Sequence, residues 1–191
     1  MNIIGTLPDT TEDKTLQAKQ AQHLAEQHRL SPRLGQMEPF RKYLRELEAL
    51  LTHVYQTFRQ GSEEKPTRSY AAEWLLDNFY IVQQAFRQIR EGLPAGYYRK
   101  LPKLDIEPPR YPRIYGIARE IVQNATTPLD IQKVRRFIRA YQRAAPLTMG
   151  ELWALPLMLR RAALGVLGQA LALLTDSKAP SMWRFFLSEL K

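Results

Sequence analysis

The sequence of 191 residues contains no cysteine, which removes disulfides, thiolate nucleophiles and cysteine-ligated zinc together. That composition suits a reducing compartment. Histidine is nearly as scarce, with three in the chain. His23 and His28 are five residues apart, a spacing that on a helix turns them roughly 140° away from each other, and His53 falls in the next segment. No glycine-rich phosphate loop, dinucleotide fingerprint or G-x-S-x-G elbow occurs. Long apolar runs are also missing. The nearest, Ala162 to Leu174, holds 13 residues, contains Gln169 and follows Arg160 and Arg161, whereas crossing a bilayer takes about 18 or more. The opening MNIIGTLPDTTEDK lacks the cationic start and apolar core of a secretory signal. The expectation is a chain that is soluble when expressed alone. Period-two alternation and Asn-Gly hairpin turns are absent as well, so the predicted fold is all α.

What is present supports a packed core. Hydrophobic residues make up 45% and aromatics 10% of the chain, enough to argue against disorder throughout and for one domain of ordinary size. The formal net charge is +9. A surface of that sign attracts anions such as phosphates, nucleic acid or acidic lipid headgroups, and net charge alone does not choose among them.

Apolar spacing predicts six to seven helices in a bundle built on a long antiparallel hairpin. Residues 1–10 read as a flexible lead and residues 11–175 as one helical domain, with a short C-terminal helix or tail over 176–191. A first helix, to about Arg29, carries only a thin stripe of Leu16, Ala21, Leu24 and Ala25, which predicts a peripheral position. Ser31, Pro32 and Gly35 break the chain, and Pro39 opens the next helix. There Phe40, Leu44, Leu47, Leu51, Val54 and Phe58 alternate steps of four and three, a two-heptad seam ending at Gly61. After the short connection SEEKPTRS a helix begins near Ser69 with Ala72, Leu75, Phe79, Val82, Phe86 and Ile89 on one side. Trp74, Leu76 and Ile81 widen that stripe, and Gly92 with Pro94 stops the helix. Two helices of this length joined by so short a loop are expected to lie antiparallel.

From Leu93 to Pro112 prolines and glycines forbid a regular element, so an ordered loop anchored by Tyr97, Tyr98, Leu101, Leu104 and Tyr111 is predicted. A helix from Arg113 to Asn124 turns Ile114, Ile117, Ala118, Ile121 and Val122 inward. Thr127 reads as the N-cap of the next, with Pro128 at its first position and Asp130 completing a capping box. That helix buries Val134, Phe137, Ile138 and Tyr141. Thr148 and Glu151 form a second capping box before an apolar helix running through Trp153, Leu157, Leu164, Leu167, Leu171 and Leu174, with a kink or split expected at Pro156.

Candidates for chemistry are few. Glu73 and Asp77 stand at i and i+4, a spacing open to acid/base work and equally to structural hydrogen bonds or solvent. Arg135, Arg139 and Arg143 repeat at i, i+4 and i+8, either a solvated face or a docking face for acidic lipid or an acidic protein surface. In YYRKLPKL, Tyr97 and Tyr98 followed by Arg99, Lys100 and Lys103 offer rings to stack and cations to hold a phosphate, or else the tyrosines pin the loop to the bundle. Trp74, Trp153 and Trp183 are assigned to the core ahead of a sugar platform. No metal site and no catalytic residue is assigned.

The strings AAEWLLDNF, REGLPAGYYRKLPKL, PRIYGIA and FIRAYQRAAPLTMGELWALPLMLR, in this order, resemble the N-terminal helical region of the large bacterial cyclic β-1,2-glucan synthases, over roughly residues 15 to 175. The closing SKAPSMWRFFLSELK departs from the family. The resemblance implies a non-catalytic scaffold or docking domain ahead of a catalytic machinery. The parent protein would build β-1,2-glucan from UDP-glucose with a divalent metal. The partners implied are the catalytic and membrane domains of the same polypeptide, on the cytoplasmic side of the bacterial inner membrane, with acidic lipid headgroups as a further candidate. The D-x-D and Q-x-x-R-W motifs of processive glycosyl transfer are not in this sequence. The alternative is a free-standing basic helical module that binds nucleic acid or acidic partners, and a stand-alone enzyme ranks third.

Overall fold

A computed structural model describes residues 11–32, 38–61, 70–105, 111–125 and 129–174. The lead, the connection after Gly61, Thr127 with Pro128, and the C-terminal segment with Trp183 lie outside the described residues. Seven helices run through the rest: α1 Thr11–Gln27, α2 Glu38–Gly61, α3 Tyr70–Gly92, α4 Ala95–Lys100, α5 Arg113–Gln123, α6 Ile131–Gln142 and α7 Met149–Leu174. Among the described residues there is no strand, so the fold is all α. The chain divides into two compact units, one of residues 1–35 and 95–159, the other of residues 36–94 and 160–191, with α7 contributing to both.

In the first unit α1 packs along α6. Ala21 and Ala25 are buried on one side of that contact, and Val134, Phe137, Ile138 and Tyr141 on the other. Small side chains on α1 let the two backbones approach, which is why a thin stripe suffices. Leu16, expected in that stripe, is instead 57% exposed. Helix α5 buries Ile114, Ile117, Ala118 and Ile121. Its Gly116 leaves room for neighbours, because a Cβ there would stand 3.1 Å from Leu104 Cδ1 and 3.4 Å from the His28 ring.

The segment between Leu93 and Pro112 is more regular than its prolines suggest. Residues 95–100 form α4, short enough to fit between Pro94 and Pro102. Beyond it the chain is extended and bridged on both sides, Leu30 to Leu104 and Lys103 to Pro112. Ser31 N donates to Lys103 O, Asp105 N to Arg29 O, Leu104 N to Tyr111 O and Arg113 N to Pro102 O. These bonds pair backbone groups around the buried Lys103 and Leu104 that no helix or sheet serves. Tyr98, Leu101 and Leu104 are the buried anchors.

Helix α6 begins later than its sequence signals imply. Asp130 is itself the N-cap, accepting from Lys133 N at 2.8 Å, while the Thr127 half of the expected box lies outside the described residues. An extended Asp130 presents its carboxylate to the free N–H groups of the first turn, which makes it the better cap.

In the second unit α2 and α3 form the expected hairpin. Arg90 meets Glu48 at 2.6 Å and Tyr55 stacks on Phe79 with ring centroids 4.1 Å apart. The partners climb one helix as they descend the other, so the helices are antiparallel. Phe40, Leu44, Leu47, Leu51 and Val54 on α2, and all six stripe residues on α3, are buried. Residues 160–174 of α7 close on α2 through glycine. A Cβ on Gly165 would meet Tyr43 Oη at 3.2 Å, and one on Gly168 would meet Leu47 Cδ1 at 2.7 Å. Pro156 does not split α7, which is assigned as one helix past it.

Candidate functional site

The densest collection of polar chemistry lies inside the first unit, where α5, α6 and the start of α7 converge. The start of α7 is set by the predicted box: Glu151 N donates to Thr148 Oγ1, and Thr148 N to Glu151 Oε2. Arg113, at the first position of α5, then reaches Glu151 in a forked pair, Nε to Oε1 at 2.8 Å and Nη2 to Oε2 at 2.7 Å. The same Nη2 donates to the Pro146 carbonyl at 2.9 Å. Glu151 is fully buried and Arg113 is 5% exposed. Burial pulls the guanidinium down, but the hydrogen bonds and charge of Glu151 outweigh it and leave Arg113 above its ordinary value.

Tyr141 and His28 extend the cluster. His28 Nδ1 and Tyr141 Oη share a hydrogen bond of 2.8 Å. Burial, with the charges of Arg113 and Arg119, pushes His28 down to about 4, so the imidazole is neutral near pH 7. Burial likewise pushes the Tyr141 phenol up to about 12. Lys103 is the surprise. Assigned by its sequence context to a basic surface, it is 1% exposed, donates from Nζ to the carbonyls of Tyr98 at 2.6 Å and Leu101 at 3.0 Å, and lies 4.1 Å from the Tyr98 ring centroid. Its pKa falls to about 8, lowered by burial against the opposing pull of Glu151. A hairpin-like strap needs its carbonyls met from within, and a lysine bent back over its own turn does that.

The other residues singled out in the tyrosine-basic segment divide. Tyr98 is buried, while Tyr97 is half-buried and its hydroxyl donates to the Gly150 carbonyl, so both rings tie α4 down. Arg99 and Lys100 are exposed, with Arg99 Nε on the Ala95 carbonyl at 3.3 Å. On α6, Arg135 and Arg139 are exposed, as is Arg143 at its C-cap. The structure therefore gathers Arg135, Arg139 and Arg143 on one face and takes Tyr98 and Lys103 into the core.

Three further assignments change. Trp153 is 71% exposed on α7 and Trp74 40% exposed on α3, so neither is a core residue. In α7 the inward positions go to Ala154, Leu155 and Met158, one step around the helix from Trp153. In the second unit Trp74 and Ile81 border a groove of about 490 Å³ shared with Gln84, Gln88, Arg160 and Leu167. Glu73 and Asp77 both face outward from α3. Among the described residues no group of three His, Asp or Glu side chains converges as a metal site.

No model of a known protein family matches the sequence. The chain is similar to a cyclic glucan synthase. Its match to the cyclic beta-(1,2)-glucan synthase NdvB of Rhizobium meliloti (strain 1021) is 33% identical over 121 residues, which is 63% of this chain and 4% of that protein. The chain thus corresponds to a small part of that relative, and the similarity supports a relation between the two without assigning a region or an activity.

What sequence reasoning missed was the pairing of Arg113 with Glu151. Half of the signal was visible in the Thr148-to-Glu151 box. The arginine lies 38 residues earlier, and nothing local distinguishes it from the other cations of its segment.

Proposed function

We propose that this chain is a non-catalytic helical scaffold or docking domain of a protein similar to the cyclic β-(1,2)-glucan synthases. The observation that carries the proposal is the similarity to a small part of NdvB. The buried cluster supports it: Glu151 and Tyr141 have no exposed surface and Lys103 almost none. Shifted pKa values such as those of Tyr141 and Lys103 often mark reaction centres, but here both groups are held by protein partners inside the fold. In the proposed parent, UDP-glucose and a divalent metal belong to other domains of the polypeptide. The domain's partners are then those catalytic and membrane domains, with the segment on the cytoplasmic side of the inner membrane.

Grafting this chain over the matching segment of the Rhizobium meliloti synthase tests the proposal. The graft is expected to accumulate and make glucan, and the isolated chain to leave UDP-glucose unchanged. Turnover of UDP-glucose by the chain alone overturns the proposal. So does a graft that accumulates normally yet makes no glucan.

A further inference from the structure

Helix α6 is basic without compensation. Its sequence IQKVRRFIRAYQ contains four cations and no carboxylate, and Arg143 follows at the C-cap. The apolar side faces the interior, with Val134, Phe137, Ile138 and Tyr141 buried. Arg135, Arg139 and Arg143 follow Ile131 at steps of four, each step turning about 40° and rising about 6 Å, so the four share one outward arc. Among the described residues the three guanidinium groups have no hydrogen-bond or ion-pair partner. Like charges four apart on a helix repel, and this face carries two such pairs.

The same arc begins with aliphatic surface. Ile131 is 74% exposed and Leu129, just before the helix, is 41% exposed. The carboxylate between them, Asp130, is occupied in capping Lys133 N. Cations beside exposed aliphatic side chains fit one kind of partner better than others. Guanidinium groups grip phosphates in forked pairs, and an isoleucine at the edge of the row gains only where it can leave water. A nucleic acid would use the arginines but favours aromatic platforms, and the exposed side chains of this arc include none.

From this juxtaposition we infer that the outer face of α6, with Ile131, Arg135, Arg139 and Arg143 at its centre, docks on an anionic phospholipid surface. The arginines take the headgroup phosphates, and Ile131 with Leu129 enters the headgroup boundary. The inference rests on α6 alone and stands apart from the scaffold proposal.

The test is sedimentation of the 191-residue chain with vesicles of phosphatidylcholine, or of phosphatidylcholine and phosphatidylglycerol in equal amounts. Binding is expected to the mixed vesicles only and to weaken with salt. The triple variant Arg135→Gln/Arg139→Gln/Arg143→Gln is expected to lose on the order of a hundredfold in affinity, as three surface cations contribute multiplicatively. A matched control, Lys19→Gln/Arg41→Gln/Arg87→Gln, removes equal charge from exposed positions on α1, α2 and α3 and is expected to lose far less. Ile131→Ser should weaken vesicle binding by about tenfold and leave binding to a single-stranded oligonucleotide unchanged. Circular dichroism establishes that each variant is folded. The inference is overturned if the wild type ignores the mixed vesicles, or if the control triple loses as much as the α6 triple. It is also overturned if the α6 arginines govern oligonucleotide binding while vesicles are ignored.

Discussion

Glu151 accepts four hydrogen bonds, two from Arg113 and two from Thr148, at a position closed to solvent. Removing one member of such a pair strands the other charge. Glu151→Ala should therefore lower unfolding stability by about 3–5 kcal/mol, read from urea denaturation. Replacing both members with apolar residues, as in Arg113→Met/Glu151→Leu, should cost much less than Glu151→Ala does. His28 adds a pH dependence. Its folded pKa, about 4, lies below its ordinary 6.5, so on acidification the unfolded chain takes up this proton first. The contribution is therefore present in full above about pH 6.5 and is lost progressively toward pH 4, about 1–2 kcal/mol for a half-buried ring partly screened by solvent. In His28→Gln, which retains a hydrogen-bonding group for Tyr141, unfolding measured between pH 7 and pH 4 should show a shallower loss by that amount.

At the scale of the element, glycines and a proline in helices make opposite predictions. Gly168→Val places atoms where Leu47 Cδ1 already stands and should destabilise by about 1–3 kcal/mol. Gly96→Ala meets nothing within 4 Å and should stabilise, by up to about 1 kcal/mol. Thermal melts of the two variants separate close helix packing from simple backbone entropy. Pro156 is exposed on α7 and withholds one N–H from the ladder. Pro156→Ala is expected to raise stability by about 1–3 kcal/mol, visible as a higher Tm. A Tm that falls would mean that the proline's effect on α7 is needed for packing.

For the molecule as a whole, a net charge of +9 on 191 residues is a standing self-repulsion. Raising ionic strength shortens the Debye length from about 30 Å at 0.01 M to about 8 Å at 0.15 M. The Tm should rise over that range, because repulsion among surface cations is screened while the enclosed Arg113–Glu151 pair is shielded from salt. A Tm that falls with added salt would show that exposed ion pairs such as Arg90–Glu48 matter more than the repulsion.

The long helices, their main inward stripes and the antiparallel hairpin were readable from spacing, because each depends on residues three or four apart meeting on one face, whereas the short α4 and the late start of α6 were not. Ala72 to Ile89, Phe40 to Val54 and Val134 to Tyr141 all went inward on that logic. The capping box at Thr148 was readable for the same reason, since both partners lie within one turn. The fate of polar and aromatic residues was not local. Lys103 is buried because its own turn leaves carbonyls to be met, and Arg113 because Glu151 arrives from a distant helix. Trp153 stays outside because Ala154 and Met158 take the inward positions beside it. Periodicity decides which side of a helix is apolar, whereas the burial of a charge or a large ring depends on what packs against it, and only the folded chain supplies that partner.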